Sequence, residues 1–181
     1  NIDKSDILIH ALPIYHTHGL FVAINTSMMS GASIRFIKSF NIDLVIEAFK
    51  YSTLMMGVPT FYTRLIKDKR LDKSLTKNMK LFISGSAPLL TETHQDFYNI
   101  TGHQILERYG MTETNMNTSN PFVGERKAGS VGKPLYDISI RINKTQGDKD
   151  TVLNKICMIE IKGPNVFKGY FNNREKTLEA F

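Results

Sequence analysis

The sequence predicts an α/β fold, a mainly parallel sheet with flanking helices, followed by part of a β-rich, barrel-like subdomain. Three observations predict it. Short apolar runs alternate with longer helix-like segments through the first two thirds of the chain. Most of those runs end at Pro, Gly or Ser, which suits strands that stop at a sheet edge. After about residue 120 glycines and a proline punctuate the chain and two segments alternate between apolar and polar residues. The division expected is 1–120 for the α/β subdomain and 121–181 for the start of the β-rich one.

Each element follows in order. Asp6–Leu12 (DILIHAL) is apolar and stops at Pro13, a strand signal. Gly19–Met29 is apolar with small residues and reads as a buried helix. Ser33–Ile37 (SIRFI) is a strand after the Gly31 turn. Asn41 or Asp43 caps a helix over Leu44–Tyr51, with Val45, Ala48 and Phe49 on one face. Leu54–Gly57 is the third strand. Pro59, suited to a first helical turn, opens a helix over Thr60–Lys69. Met79–Ser84 is the fourth strand, Thr91–Ile100 a helix and Gln104–Glu107 the fifth strand. Strands that alternate with helices imply crossover connections and hence parallel pairing. Further on, Asp137–Asn143 and Ile156–Lys162 read as an antiparallel pair joined by the polar loop Lys144–Lys155, and no closing element is expected after Lys176.

Composition narrows the function classes. Of 181 residues 41% are apolar and 22% charged, which excludes a disordered tail. No window reaches the ~18 consecutive apolar residues of a membrane span. The N-terminal residues lack the basic head and apolar stretch of a secretory signal, so a soluble protein of the cytoplasm or an organelle matrix is expected. The single cysteine, Cys157, excludes an internal disulfide and is expected as a small buried residue on the inward side of its strand. A start without Met suggests a piece of a longer protein. Most of the net charge of +6 lies between Arg64 and Lys80, where seven cations face Asp68 and Asp72. Two readings stand: a phosphate-binding patch for nucleic acid, or a solvated helix face with Leu65, Ile66, Leu71 and Leu75 turned inward. No aromatic residue interleaves after Tyr62, so the solvated face is preferred and no nucleic-acid partner is expected.

Ligands of open parallel sheets bind beyond the carboxyl ends of the strands. Three motifs fall there: Pro13–Gly19 (PIYHTHG), Ser84–Leu89 (SGSAPL) and, as the loop after the fifth strand, Arg108–Thr114 (RYGMTET). Ser84-Gly85-Ser86-Ala87-Pro88 brings backbone close to a ligand, or is an ordinary strand-to-helix turn. Tyr109-Gly110 with Thr112 and Glu113 offers a ring to stack on, a hydroxyl for a phosphate and a carboxylate for Mg²⁺, which prefers one or two carboxylates plus phosphate oxygens. His16 and His18 have no third metal ligand nearby. A polar channel wall or a hydrogen-bonded structural role suits them better.

Together, Leu12–Gly19, Gly57-Val58-Pro59-Thr60, Ser84–Pro88, Tyr109–Glu113 and Gly169-Tyr170-Phe171 resemble the adenylate-forming acyl-CoA synthetase family over essentially the whole chain. Leu106–Pro121 and Lys162–Tyr170 are similar to the malonyl-CoA synthetases within it. The resemblance implies a ligase that uses ATP, Mg²⁺ and coenzyme A. A carboxylate attacks the α-phosphate of ATP to give acyl-AMP and pyrophosphate, and the coenzyme A thiol then displaces AMP. By resemblance, Tyr109 and Gly110 border the adenine with the Ser86-Ala87-Pro88 backbone, Thr112 touches the α-phosphate, Glu113 holds Mg²⁺, and His16 and Ser86 line the acyl pocket. A malonate substrate adds a buried distal carboxylate that needs a cation, and Arg108 and Arg64 are the candidates. Methylmalonate or another short acid, and a non-catalytic nucleotide- or nucleic-acid-binding module, stay as alternatives. The family's phosphate loop is expected before residue 1 and its Thr-Gly-Asp element and lysine-bearing C-terminal domain after Phe181. The segment alone is therefore expected to be inactive in adenylation.

Overall fold

In a computed structural model of the protein, residues 2–143 and 157–181 are described. Strands β1 (Ile7–His10), β2 (Ser33–Phe36), β3 (Leu54–Gly57), β4 (Leu81–Ser84), β5 (Leu106–Met111), β6 (Asn115–Ser119) and β7 (Lys133–Pro134) form one sheet in the order β2-β1-β3-β4-β5-β6-β7. The first five are mutually parallel and β6 and β7 run antiparallel, so the sheet continues past residue 120 without a break. The helical elements are α1, a π-helix over His18–Asn25 that runs into one α-helical turn, Thr26–Met29; α2 (Ile42–Ala48), extended by a 3₁₀ turn, Phe49–Tyr51; α3 (Pro59–Leu65); α4 (Thr91–Thr101); and α5 (Arg174–Ala180). β8 (Ser139–Asn143) and β9 (Met158–Lys162) pair antiparallel in a separate two-stranded sheet. The loop expected at Lys144–Lys155, with Ile156, lies outside the described residues.

The apolar runs form strands because both faces of the sheet are covered. Successive side chains point to opposite faces, and the core divides accordingly. Ile9, Met55 and Phe82 face Phe49, Tyr62 and Phe97 under α2, α3 and α4. Their neighbours Leu8, Leu54 and Leu81 face the other way, with Met56, Ile83 and Ala23. The Tyr62 hydroxyl donates to the Ile83 carbonyl at 2.6 Å and so pins α3 to β4 just before the Ser84-Gly85 exit. Asn41 provides the N-cap of α2, accepting from the Leu44 N–H at 3.1 Å, while Asp43 pairs with Arg70 at 2.7 Å. α3 starts at Pro59 but stops at Leu65, four residues short of expectation. The Asp68 carboxylate takes the Arg70 backbone N–H and turns the chain there, a local competitor to the helix ladder.

Three further expectations change. Arg108-Tyr109-Gly110-Met111 is not a loop; it is the second half of β5, paired with β6, which the polar Asn115–Ser119 segment did not announce. Cys157 is half-buried and precedes β9, so it is not an inward strand residue. A short helix, α5, follows Asn173, whose side chain accepts from the Lys176 N–H at 3.0 Å. In the basic run, Leu65 and Leu71 are buried, Arg70 pairs with Asp68, and Lys80 reaches Asp6 at 2.8 Å. Among the described residues, no helix is long and apolar enough to cross a membrane.

Candidate active site

β5 changes partner part-way along its length. Leu106 and Glu107 pair in parallel with Ile83 and Ser84 of β4. From Arg108 onward the strand pairs only with β6, antiparallel, and the register shifts between Tyr109 and Gly110. At the same point β4 ends, and the chain leaves through Gly85 into Ser86, whose φ of 70° is left-handed. Two adjacent strands that part in this way open a crevice at the carboxyl rim, the place where open α/β sheets bind ligands.

Two cavities occupy the crevice and share Ser86, Arg108 and Gly110 as a common wall. One, of about 440 Å³, is lined by Ala87, Pro88, Tyr109, Glu107, Gly129 and Val131 among others. The other, of about 190 Å³, is closed by the PIYHTHG segment, Val58, Thr112 and Met116. The structure thus brings Ser86, Ala87, Pro88, Tyr109 and Gly110 together on the larger cavity. His16, Thr112, Ser86 and Arg108 meet on the smaller one. Gly110 is required by the close pairing, since a Cβ there would strike the Asn115 carbonyl on β6.

Arg108 is 7% exposed, and its guanidinium lies against Gly85, where an added Cβ would come within 3.0 Å of Cζ. Nη1 donates to the Met116 sulfur at 2.8 Å, whereas Nε and Nη2 are buried without a hydrogen-bond partner among the described residues. Burial lowers its pKa to about 10, which leaves it charged at neutral pH. An unpaired buried cation costs several kcal/mol, so this arrangement fits a receptor for an anion. Arg64 is elsewhere: it is exposed, and its guanidinium sits 4.6 Å over the Phe40 ring, away from both cavities. Phe40 captures the side chain by a cation–π contact.

Glu113 is half-buried after β5. Its Oε1 accepts the Tyr170 hydroxyl at 2.7 Å, and its carbonyl accepts the Phe167 N–H at 2.8 Å. Asn165 Nδ2 donates to the Thr114 carbonyl at 2.6 Å and to Asn117 Oδ1 at 2.9 Å. The Lys162–Tyr170 segment therefore braces the turn that presents Thr112 and Glu113. Sequence reasoning assigned no role to Asn165 or Tyr170, because their partners lie about fifty positions away in the chain. No group of three or more His, Cys, Asp and Glu side chains suited to a metal occurs among the described residues.

The two histidines of PIYHTHG separate. His16 is exposed at the rim, and His18 is buried in the first turn of α1. His18 Nδ1 lies 3.1 Å from Ser86 Oγ. Burial, then the charge of Arg108 and then His10 lower its pKa to about 3. The expected start of this helix at Gly19 was the available signal that His18 turns inward.

Comparison with known proteins agrees with this fold. The AMP-binding enzyme family model matches residues 1–171. A malonate–CoA ligase of Arabidopsis thaliana is 36% identical over 98% of this chain and 32% of its own length. The crystal structure of ATP-bound MatB from Rhodopseudomonas palustris is 53% identical, with a TM-score of 0.93 over 99% of this chain and 36% of that one. A malonyl-CoA ligase ternary product complex with methylmalonyl-CoA and AMP bound is 34% identical, with a TM-score of 0.87 over 99% of this chain and 39% of that one. The chain spans about a third of the length of these relatives. Matched along nearly its whole length by the family model, the chain belongs to the AMP-binding enzymes.

Proposed function

We propose that the protein carrying this chain is an AMP-forming acid–thiol ligase that activates malonate and transfers the malonyl group to coenzyme A. The observation that carries the reading is Arg108, a buried cation with two donor nitrogens that have no partner among the described residues, on a cavity of about 190 Å³. Malonate, with seven heavy atoms, is a small acid suited to a small cavity of this kind. Its distal carboxylate meets Arg108, and its reacting carboxylate points toward Ser86 and Gly110, on the wall the two cavities share, with Thr112 beside it on the smaller cavity.

In this reading the larger cavity takes the adenosine part of ATP, with Tyr109 against adenine and Ser86-Ala87-Pro88 along its edge. The reacting carboxylate is ionised at neutral pH and needs no general base. One of its oxygens bonds to the α-phosphorus as the bond to pyrophosphate breaks. In the second step the coenzyme A sulfur bonds to the acyl carbon, AMP leaves and the thiol proton is released. Thr112 supplies a hydroxyl to the α-phosphate, and His16, at the exposed rim, borders the thiol's path to the acyl carbon. Glu113 fits a Mg²⁺ ligand, with one oxygen held by Tyr170 and the other without a hydrogen bond among the described residues, and Mg²⁺ commonly binds one carboxylate plus phosphates. When bound, Mg²⁺ neutralises phosphate charge. The chain's own contribution is positioning and charge complementarity.

Methylmalonate is the second substrate to weigh, since a relative's complex holds methylmalonyl-CoA. One methyl group is worth only ~1–3 kcal/mol of discrimination. The test is Arg108→Ala in the full-length gene product, followed by malonate-dependent pyrophosphate release. Loss of one partner of a buried charge pair costs ~2–5 kcal/mol, so malonate kcat/KM falls by roughly 30- to 5,000-fold while ATP affinity holds. An equal loss of ATP affinity would contradict the role given to Arg108.

A further inference from the structure

The proposed malonate pocket has a second donor. His18 is 5% exposed and lines the cavity of about 190 Å³. Its Nε2 is buried without a hydrogen-bond partner among the described residues, as are Nε and Nη2 of Arg108 on the same cavity. Ser86 connects the two: its hydroxyl meets His18 Nδ1 at 3.1 Å, and the preceding Gly85 lies against the Arg108 guanidinium. We propose that His18, held as its Nε2–H tautomer by the Ser86 hydroxyl, is a specificity-determining residue that donates to the distal carboxylate of the substrate beside Arg108. The inference rests on the malonate reading above.

Four physical points support it. A buried polar atom left unpaired costs ~1–3 kcal/mol, so two side chains that both leave donors open on one small cavity are explained together by a ligand with acceptors to spare. A carboxylate has two oxygens and about four lone-pair directions, enough to take an Arg nitrogen and an imidazole N–H at once. The protonation state also agrees, because a neutral ring has one N–H, and a Ser86 hydroxyl directed at Nδ1 leaves that proton on Nε2. A doubly protonated ring beside Arg108 is disfavoured by burial and by the neighbouring charge. The local backbone holds the ring still: His18 begins the π-helical segment, and the next residue, Gly19, has no room for a Cβ against the Pro13 carbonyl. Irregular helical turns of this kind recur at functional sites.

The experiment uses the full-length gene product with His18→Leu and His18→Gln, assayed by pyrophosphate release with malonate, with butyrate and over a range of ATP. One hydrogen bond to a charged group corresponds to a change of ~10- to 100-fold. His18→Leu should raise the KM for malonate by about that factor. Its kcat and the ATP KM should change less, and the loss for butyrate should be smaller than that for malonate. His18→Gln places an amide N–H close to the Nε2 position and should recover most of the malonate affinity. An unchanged malonate KM in His18→Leu would overturn the inference and leave the malonate reading standing. So would an equal loss for malonate and butyrate, or a Gln variant as impaired as Leu with ATP affinity intact. A wild-type protein that activates butyrate but not malonate would instead remove the underlying reading.

Discussion

Arg108 and His18 respond to the same burial in opposite functional senses. The guanidinium, lowered to about 10, stays charged at neutral pH. The imidazole, lowered to about 3, stays neutral. The His18 shift has a consequence for stability. The unfolded chain takes up a proton on His18 below about 6.5, whereas the native chain does so only near 3, so between these values the unfolded state binds more protons. Stability therefore falls as the pH drops from about 6.5 toward 3, with the burial-lowered His103 acting in the same sense. Urea midpoints measured from pH 7 to pH 4 should show this decline, and His18→Gln should flatten it. The same slope in both proteins would contradict the burial of a neutral ring. At this scale the sequence was half legible. Arg108 stood out as a cation beside a glycine turn, whereas Arg64 was a second candidate that could equally belong to the basic helix face, and the structure seats it over Phe40. His18 was indistinguishable in type from His16, and only the direction of α1 separates them.

The strands β1, β3 and β4 were readable because burial on both faces demands unbroken apolar runs, and the sequence has them at ILIH, LMMG and LFIS. β6 was not readable. Asn-Met-Asn-Thr-Ser has low strand preference, and its state is imposed by pairing with β5, a case of tertiary context overriding local tendency. The missed strand also hid the fact that Tyr109 and Gly110 sit in a register-shifted pairing with β6. That pairing carries a prediction. Gly110→Ala forces a methyl group into the Asn115 carbonyl, and since the obstacle is backbone, β5 and β6 must separate. A cost of ~1–3 kcal/mol is expected from such overpacking. The wall common to both cavities should be displaced, so affinity for ATP and for malonate should weaken together, measured by calorimetry. A Gly110→Ala protein with wild-type stability and both affinities intact would show that the strands tolerate the methyl group.

Across the whole molecule, the sheet order brings three sequence-distant segments, PIYHTHG, SGSAPL and RYGMTET, to one rim. Their convergence was foreseeable from the parallel alternation of strands and helices, because crossover connections return every strand end to the same edge. The bracing of the Thr112–Glu113 turn by Asn165 and Tyr170 was not foreseeable, since nothing local links residues so far apart. On the malonate reading proposed above, a small cavity with a buried cation selects a short dicarboxylate over an acid of similar length without the second charge. The most direct test is the ratio of kcat/KM for malonate to that for butyrate, measured on the full-length gene product by pyrophosphate release. A desolvated charge pair worth ~2–5 kcal/mol predicts a ratio of ~30 or more in favour of malonate. A ratio near one, or a preference for butyrate, would contradict the account.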